Sequence, residues 1–320
     1  NELFDEKERV RLTLQSIGDA VICSDARGMV TYLNPVAERL TGWQAFDAAG
    51  HNVDEVVSLR SPDNDEPLPN TLRTAIQHGA ATEPVRGVLV HRTSGQRFQV
   101  EETASPIADR HGAVTGAVAV LRDVTEAVAM AERMAHLAQY DALTDLPNRV
   151  LLQDRAQLAM AQARREGKSL AVMYLDLDGF KEVNDRLGHD VGDILLVQCA
   201  QRLQAAVRAS DTVCRQGGDE FVVLLPGLDG VEPACLVARK ILVACDAAFD
   251  LAGQPVRVGV SGGIALFPQH GSTFDELSRH ADGAMYAAKR GGRMRFMLYQ
   301  GPDADPEVVL PEPSQVAAAQ

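Results

Sequence analysis

The sequence predicts an α+β protein built from two domains joined by a helix. Three observations predict it. The length, 320 residues, is more than one core of roughly 100–200 residues ordinarily spans. Residues 1–122 alternate short apolar runs with turn signals, the pattern of one antiparallel sheet with short helices. Residues 143–300 alternate helical stripes with continuous apolar runs, the pattern of strands buried on both faces beneath helices.

The elements follow in order. Val21–Asp25 is a short apolar run, Ala26-Arg27-Gly28 a glycine-containing connection, and Met29–Leu33 a second run, which together predict a hairpin. Asn34-Pro35 stops that strand and opens a short helix through Leu40, closed by Gly42. Val85–His91, Arg97–Ser105 and Ala113–Arg122 predict three later strands, for five in all.

Residues 123–142 hold almost no helix breaker, and Asp123 is placed to cap the helix they predict. Val124, Val128, Ala131, Ala135, Ala138 and Ala142 recur at a 4-3-4-3-4 spacing. Ala127, Met130, Met134 and Leu137 form a neighbouring stripe. This apolar seam has heptad period over about two and a half heptads, fewer than the three or four that define a coiled coil unaided. It suits a helix packed on a flanking domain or a two-stranded linker between two copies of the chain.

In the second domain, Arg149–Arg165 and Ile194–Val207 predict helices. Leu170–Leu175 is a buried strand, Thr212–Cys214 and Phe221–Leu225 flank a Gly-Gly turn, and Val256–Phe267 is strand-like. Thr273 and Glu276 have the spacing of a capping box for a helix running to about Arg290. Residues 301–320, with Pro302, Pro306, Pro311 and Pro313, predict a disordered tail or a linker to a further domain.

Charge narrows the function. Lys and Arg number 31 against 44 Asp and Glu, a net −13 and a pI near 5.1. Such a surface repels phosphate backbones and anionic lipid, which excludes a general nucleic-acid or membrane-surface binder. An anionic small substrate then requires local cations or a metal. No apolar run nears the roughly 18 residues of a membrane span, and no signal-peptide pattern opens the chain. A first residue that is Asn1 suggests a piece of a longer protein, compatible with an upstream anchor. The five cysteines form no CxxC pair and are expected to be reduced, cytoplasmic thiols.

Two acidic clusters carry the chemistry. In Cys214-Arg215-Gln216-Gly217-Gly218-Asp219-Glu220-Phe221, two glycines make a tight hairpin and let a phosphorylated ligand approach the backbone. Asp219 and Glu220 follow at once. On a regular strand they would point to opposite faces, so sharing one ion requires the turn's distortion. Asp176, in Asp176-Leu177-Asp178-Gly179-Phe180-Lys181, leaves the end of a buried strand, where α/β sheets place ligand-binding residues. Carboxylates from both places suit Mg²⁺, which takes a few protein oxygens and leaves sites for substrate phosphates.

Residues 1–122 resemble a PAS sensor domain. The resemblance rests on Gly18-Asp19-Ala20-Val21, Asn34-Pro35-Val36-Ala37-Glu38, Leu40-Thr41-Gly42-Trp43 and Arg122-Asp123-Val124-Thr125-Glu126. No Asn-Cys-Arg flavin-adduct motif is present, and His51 and His78, the residues considered for haem, are expected to be ordinary histidines. The ligand of this domain is unknown from sequence.

Residues 141–300 resemble a GGDEF domain, the catalytic domain of diguanylate cyclases. Four motifs carry the likeness in family order: Asp141–Arg149; Asp176–Lys181 with Val183-Asn184-Asp185; Gly188-His189-Asp190-Val191-Gly192-Asp193; and Arg215–Phe221. The resemblance implies a fold like the palm of nucleotide cyclases and polymerases, a central antiparallel sheet wrapped by helices. It implies Mg²⁺ or Mn²⁺ held by Asp176, the Leu177 carbonyl, Asp219 and Glu220, with Asp219 and Glu220 catalytic. GTP would be bound by Phe180, Lys181, Asn184, Asp193, Gly217, Gly218, Lys289 and Arg293, with Asn184 and Asp193 reading guanine. Two GTP would condense to cyclic di-GMP and two pyrophosphates in a homodimer formed through the sensor domain and linker helix. Arg208 and Asp211 match the family's product-inhibition motif, with Arg239 as a further product contact. Asp178 and Asp185 are expected to be solvated turn or cap residues, and Gly179 stands where a larger residue is often found. The alternative is a GTP- or cyclic di-GMP-sensing module of a larger protein with a phosphodiesterase domain. A weaker third reading is a cyclase making a monomeric cyclic nucleotide.

Overall fold

The computed structural model describes residues 9, 16–301 and 306–308. The chain divides into two compact units between Arg133 and Met134. In the first, strands β1 (Ala20–Asp25), β2 (Val30–Leu33), β3 (Leu59–Arg60), β4 (Val85–Val90), β5 (Arg97–Ala108) and β6 (Val114–Asp123) form one sheet in the order β2-β1-β6-β5-β4-β3. Every pairing is antiparallel. The sequence predicts five of these strands; β3, two residues long, is too short to show alternation.

Helices α1 (Pro35–Thr41), α2 (Ala45–Ala48), α3 (Val53–Val56) and α4 (Thr71–His78) belong to the same unit. Asn34 fixes the turn from β2 into α1. Its buried Oδ1 accepts from the backbone N–H of Val21 and of Ala37, each at 2.9 Å, and its Nδ2 donates to the Asp19 carbonyl. Pro35 supplies the preset φ of a first helical residue and Gly42 closes the helix at φ 77°. His51 bonds Glu55 and His78 bonds the Thr74 carbonyl, both at exposed positions.

The inner face of β5 carries one charged residue, Glu102, between Val100 and Ala104. Glu102 is 1% exposed and its Oε1 has no hydrogen-bond partner. Burial pushes its pKa up to about 7, only partly countered by the neighbouring Thr71 hydroxyl.

At the end of β6, Asp123 Oδ1 accepts from the Thr125 amide (2.9 Å) and hydroxyl (2.6 Å). Thr125 Oγ1 in turn accepts from the Gln99 amide of β5. Helix α5 (Thr125–Gln139) therefore starts pinned to the sheet. None of its residues is buried, and Met130, Met134 and Leu137 are exposed. It stops at Gln139, three residues short of the predicted 142, because Tyr140 bridges to Pro147 and Asp141 donates its amide to the Leu146 carbonyl.

The second unit contains helices α6 (Arg149–Glu166), α7 (Phe180–Leu187), α8 (His189–Ala206), α9 (Glu232–Asp246) and α10 (Phe274–Arg290). Its strands β7 (Ser169–Asp178), β8 (Thr212–Gly217), β9 (Glu220–Leu228), β12 (Gly259–Phe267), β13 (Phe296–Leu298) and β14 (Glu307–Val308) pair in the order β14-β13-β12-β7-β9-β8. A separate hairpin joins β10 (Phe249–Leu251) to β11 (Gln254–Val256), so the predicted run from Val256 divides before Gly259. The sheet is antiparallel, as expected, except that β12 and β13 run parallel, because α10 crosses between them. Within the predicted tail, Glu307 and Val308 pair with β13. The remainder, 302–305 and 309–320, lies outside the described residues.

Strand β7 is buried on both faces. Ala171, Met173, Leu175 and Leu177 share a core with α8 and α9, and Leu170 and Val172 share one with α6 and α10. Side chains alternate along a strand, so Asp176 and Asp178 fall on the α10 face. The predicted capping box is formed: Glu276 N–H donates to Thr273 Oγ1, and Thr273 N–H to Glu276 Oε2. No helix among the described residues is long and apolar enough to cross a membrane.

Candidate active site

Asp176 lies directly across from Glu220, the last pair of the β7–β9 ladder. Such cross-strand neighbours have Cβ atoms about 4.5–5.5 Å apart on the same face. Leu177 lies one residue beyond that last pair and its side chain is buried in the core. Asp219 is not on the strand. It occupies the two-residue turn with Gly218, which escapes the opposite-faces rule for adjacent strand residues. Gly217 (φ 150°) and Gly218 (φ 56°) adopt the positive φ that this turn requires.

Lys289, in the last turn of α10, places Nζ 2.6 Å from Asp176 Oδ2. Burial raises the pKa of Asp219 and of Glu220, and the charge of Asp176 adds to both shifts; Lys289 opposes them. Three carboxylates thus crowd one end of the sheet, with an ammonium already seated on the most buried. Among the described residues no three carboxylate, histidine or cysteine side chains converge as a ready-made cation cage. The protein's own share is therefore small: a few oxygens, and an ammonium that must yield or share Asp176. That donor set fits a hard cation that takes its remaining oxygens from phosphate and water.

The hairpin is held from behind by Arg215. Its Nη1 bonds both oxygens of Asp141, at 2.9 and 3.1 Å, and its Nε and Nη2 bond the Gly218 carbonyl. Burial would raise the Asp141 pKa, but the Thr144 hydroxyl and Arg215 outweigh it and hold the carboxyl below its usual range. Arg215 also donates its amide to the Pro147 carbonyl. Asn148, the N-cap of α6, donates Nδ2 to Ala138 at the end of α5. The sequence marks Asp141–Arg149 as a motif but gives it no role; the structure makes it a brace of the glycine hairpin.

Asn184, half-buried on α7, has an Oδ1 shut off from solvent and without a hydrogen-bond partner. Gly192 of α8 makes room for it, since a Cβ there would lie 1.9 Å from that oxygen. Gly192 is a site-shaping residue that the sequence reading passed over, although it lies inside a quoted motif. Asp193 is exposed on the same helix, one residue further on. The predicted start of α8 at Ile194 is corrected to His189, which puts Asp193 on the helix itself. Phe180 and Lys181 open α7 behind Gly179, whose φ of 83° explains a glycine there.

Asp178 is not a solvated turn residue. It is largely buried, accepts from Ser261 Oγ at 2.8 and 3.0 Å, and accepts from the Met294 amide at 3.1 Å. Burial raises its pKa, partly offset by the Ser261 hydrogen bond. Arg293 lies 3.9 Å from Asp178 through Nε and is otherwise exposed. Away from this end, Arg208 pairs with Asp211 at 2.9 Å and donates to the Pro226 carbonyl. Arg239 is exposed on α9.

This end of the sheet thus joins an acidic edge, a glycine hairpin and a basic helix end. The family comparisons agree: the model described as "Diguanylate cyclase, GGDEF domain" matches residues 138–295, and that of the "PAS fold" matches residues 8–124. The chain carries a PAS domain followed by a GGDEF domain.

Among curated relatives, "Probable diguanylate cyclase DgcE" of Escherichia coli is 38% identical over 299 residues, 93% of this chain. Diguanylate cyclase TpbB of Pseudomonas aeruginosa is 44% identical over 161 residues, 50% of this chain. The chain spans 27% and 37% of these two relatives' lengths. A solved structure comprising only the GGDEF domain of P. aeruginosa PA1120 (TpbB or YfiN) aligns with a TM-score of 0.50 at 42% identity. That alignment covers 50% of this chain and 94% of that one.

Proposed function

We propose that this chain is a PAS-regulated diguanylate cyclase that condenses two GTP into cyclic di-GMP and two pyrophosphates. The observation that carries the reading is the Asp176–Glu220 cross-strand pair, bordered by Asp219 in the glycine hairpin and by Lys289. Asp176, Glu220, Asp219 and the Leu177 carbonyl hold the divalent ion, Mg²⁺ or Mn²⁺. When bound, that ion neutralises charge at the α-phosphate and acidifies the attacking 3′-hydroxyl. Asp219 or Glu220 accepts the hydroxyl proton at a carboxylate oxygen, a task suited to carboxyls that burial makes more basic.

The other site residues bind and orient. Asn184 offers its side-chain amide, and Asp193 a carboxylate, to the acceptor and donor groups on guanine's edge. The glycines at 217 and 218 let the backbone lie against the phosphates, as do the first residues of α7, Phe180 and Lys181. Lys289 and Arg293 supply the cations that a −13 protein needs to accept a polyanion.

Each domain holds one GTP, so the reaction requires two copies facing each other. The exposed stripe of Met130, Met134 and Leu137 on α5 supports pairing through that helix. A signal received by the PAS domain then shifts the population of productive pairings. Arg208, Asp211 and Arg239 form the product-inhibition site; the Arg208–Asp211 pair must open or rotate to take product. The five free thiols, four of them buried, suit a cytoplasmic setting.

The test is incubation of the protein with GTP and Mg²⁺, followed by mass analysis. Cyclic di-GMP and pyrophosphate are expected, and both should vanish in the Asp219→Ala/Glu220→Ala double variant. A monomeric cyclic nucleotide would replace this reading with another cyclase. GTP binding with no more product than the double variant would replace it with a nucleotide-sensing module.

A further inference from the structure

We propose that Asp178 is a positioning residue for the basic pair Lys289 and Arg293, acting through the turn that follows α10. The inference rests on the cyclase reading for the ligand, a nucleoside triphosphate, but on this chain's own geometry for the mechanism.

The turn is unusual. Arg293 (φ 64°) and Met294 (φ 49°) are consecutive non-glycine residues in the left-handed region. Side chains disfavour that conformation, and two in succession persist only where surrounding contacts impose it. Three contacts do so. The Met294 amide donates to Asp178 Oδ2 at 3.1 Å. Ser261, which pairs with Asp176 on the neighbouring strand and so lies diagonally across from Asp178, donates its hydroxyl to the same carboxylate. Gly259, directly opposite Asp178 in the β7–β12 ladder, leaves a notch, since a Cβ there would stand 2.5 Å from Met294 Cγ and 3.0 Å from Asp178 Oδ2.

The far side of the turn is fixed too. Arg293 N–H caps α10 at the Ala288 carbonyl, and the Arg295 carbonyl accepts from Gly262 N–H on β12. The turn is thus strung between the end of the helix that carries Lys289 and the strand beside β7. Asp178 grips its middle. The strand that supplies Asp176 therefore also sets, two residues later, where the chain presents Arg293, and Asp178 needs no contact with substrate to affect binding.

The role is that of a hydrogen-bond acceptor rather than of a charge, which makes it separable. Asparagine keeps an acceptor for the Met294 amide; alanine removes it. The full chain is assayed for GTP turnover, and in parallel for binding of a non-hydrolysable GTP analogue. Asp178→Ala is expected to raise KM and the analogue's Kd by about tenfold, with kcat at saturating GTP falling far less. Asp178→Asn is expected to stay within about threefold of wild type in all three. In the Asp178→Ala background, Met294→Gly, which adopts positive φ without the bond, is expected to restore part of the lost affinity.

Wild-type protein that neither binds the analogue nor turns over GTP would defeat the cyclase reading itself. With wild type active, the positioning role is overturned if Asp178→Asn is as damaging as Asp178→Ala, or if Asp178→Ala leaves KM and Kd unchanged. Should Asp178→Ala fail to fold, Ser261→Ala decides instead. A rise in KM with kcat kept supports the role, and an unchanged KM overturns it.

Discussion

Glu102 holds its proton well above the usual carboxylate range inside the sensor sheet, because the Thr71 hydroxyl only partly counters its burial. An unfolded glutamate ionises near 4.5, whereas this one holds its proton to about 7. The folded state therefore binds more protons than the unfolded state between those values. Stability is fully present below the lower value and falls as pH rises to the upper, where the loss levels off. At 1.36 kcal/mol per pH unit the loss is about 3 kcal/mol. Thermal melts of the PAS transition should show it between pH 5 and pH 8, and Glu102→Gln should flatten the profile and raise the melting temperature at pH 8. A second residue-scale prediction concerns Gly192. A methyl group there meets Asn184 Oδ1 at 1.9 Å, so Gly192→Ala should displace the amide proposed to read guanine and raise the KM for GTP about tenfold, a loss of about 1.4 kcal/mol in binding.

The hairpin between β8 and β9 is the element on which the proposed chemistry turns, and Arg215 is what stiffens it. Arg215→Ala would leave the Gly218 carbonyl and the Asp141 carboxylate without their shared donor. It should cut kcat/KM by about tenfold or more, because catalytic groups displaced by even an ångström lose rate steeply. A hairpin that tolerates the loss at full rate would contradict the bracing role. This brace joins residues 74 positions apart, and no local pattern in a sequence announces such a pair.

The limits of sequence reading follow the same logic elsewhere. Pro35, Gly42 and the Thr273–Glu276 box act within a few residues, so their structural roles were readable from spacing alone, whereas the bonds of Asn34 to Val21 and Asp19 were not. The meeting of Asp176 and Glu220 at one end of the sheet was foreseeable because strand alternation and a glycine turn constrain them locally. Strand β3 pairs over two residues and leaves no period to detect. Asp178 looked like a turn residue because its partners, Ser261 and Met294, are 83 and 116 positions away.

At the scale of the whole chain, the proposed regulation would require that a PAS event alter the encounter of two GGDEF domains. The α5 stripe is the segment through which two copies would pair. Met130→Asp with Met134→Asp should shift the protein toward monomer in light scattering and lower turnover at dilute concentration, with recovery as concentration rises. An unchanged mass and unchanged activity would remove α5 from the pairing surface. The acidic net charge adds a second requirement. A triphosphate must be met by Lys289, Arg293 and a metal, so activity should disappear with a chelator and return with added Mg²⁺.

The central claim is that acids from β7 and the β8–β9 hairpin share a divalent ion that grips a guanosine triphosphate. It is tested most directly by a crystal structure with Mn²⁺ and a non-hydrolysable GTP analogue, using anomalous scattering to locate the metal. The account predicts a peak at bonding distance from carboxylate oxygens of Asp176 and Glu220, with the Lys289 ammonium moved off Asp176 toward phosphate. An ion bound elsewhere, with Lys289 still seated on Asp176 and the analogue outside the hairpin, would contradict it.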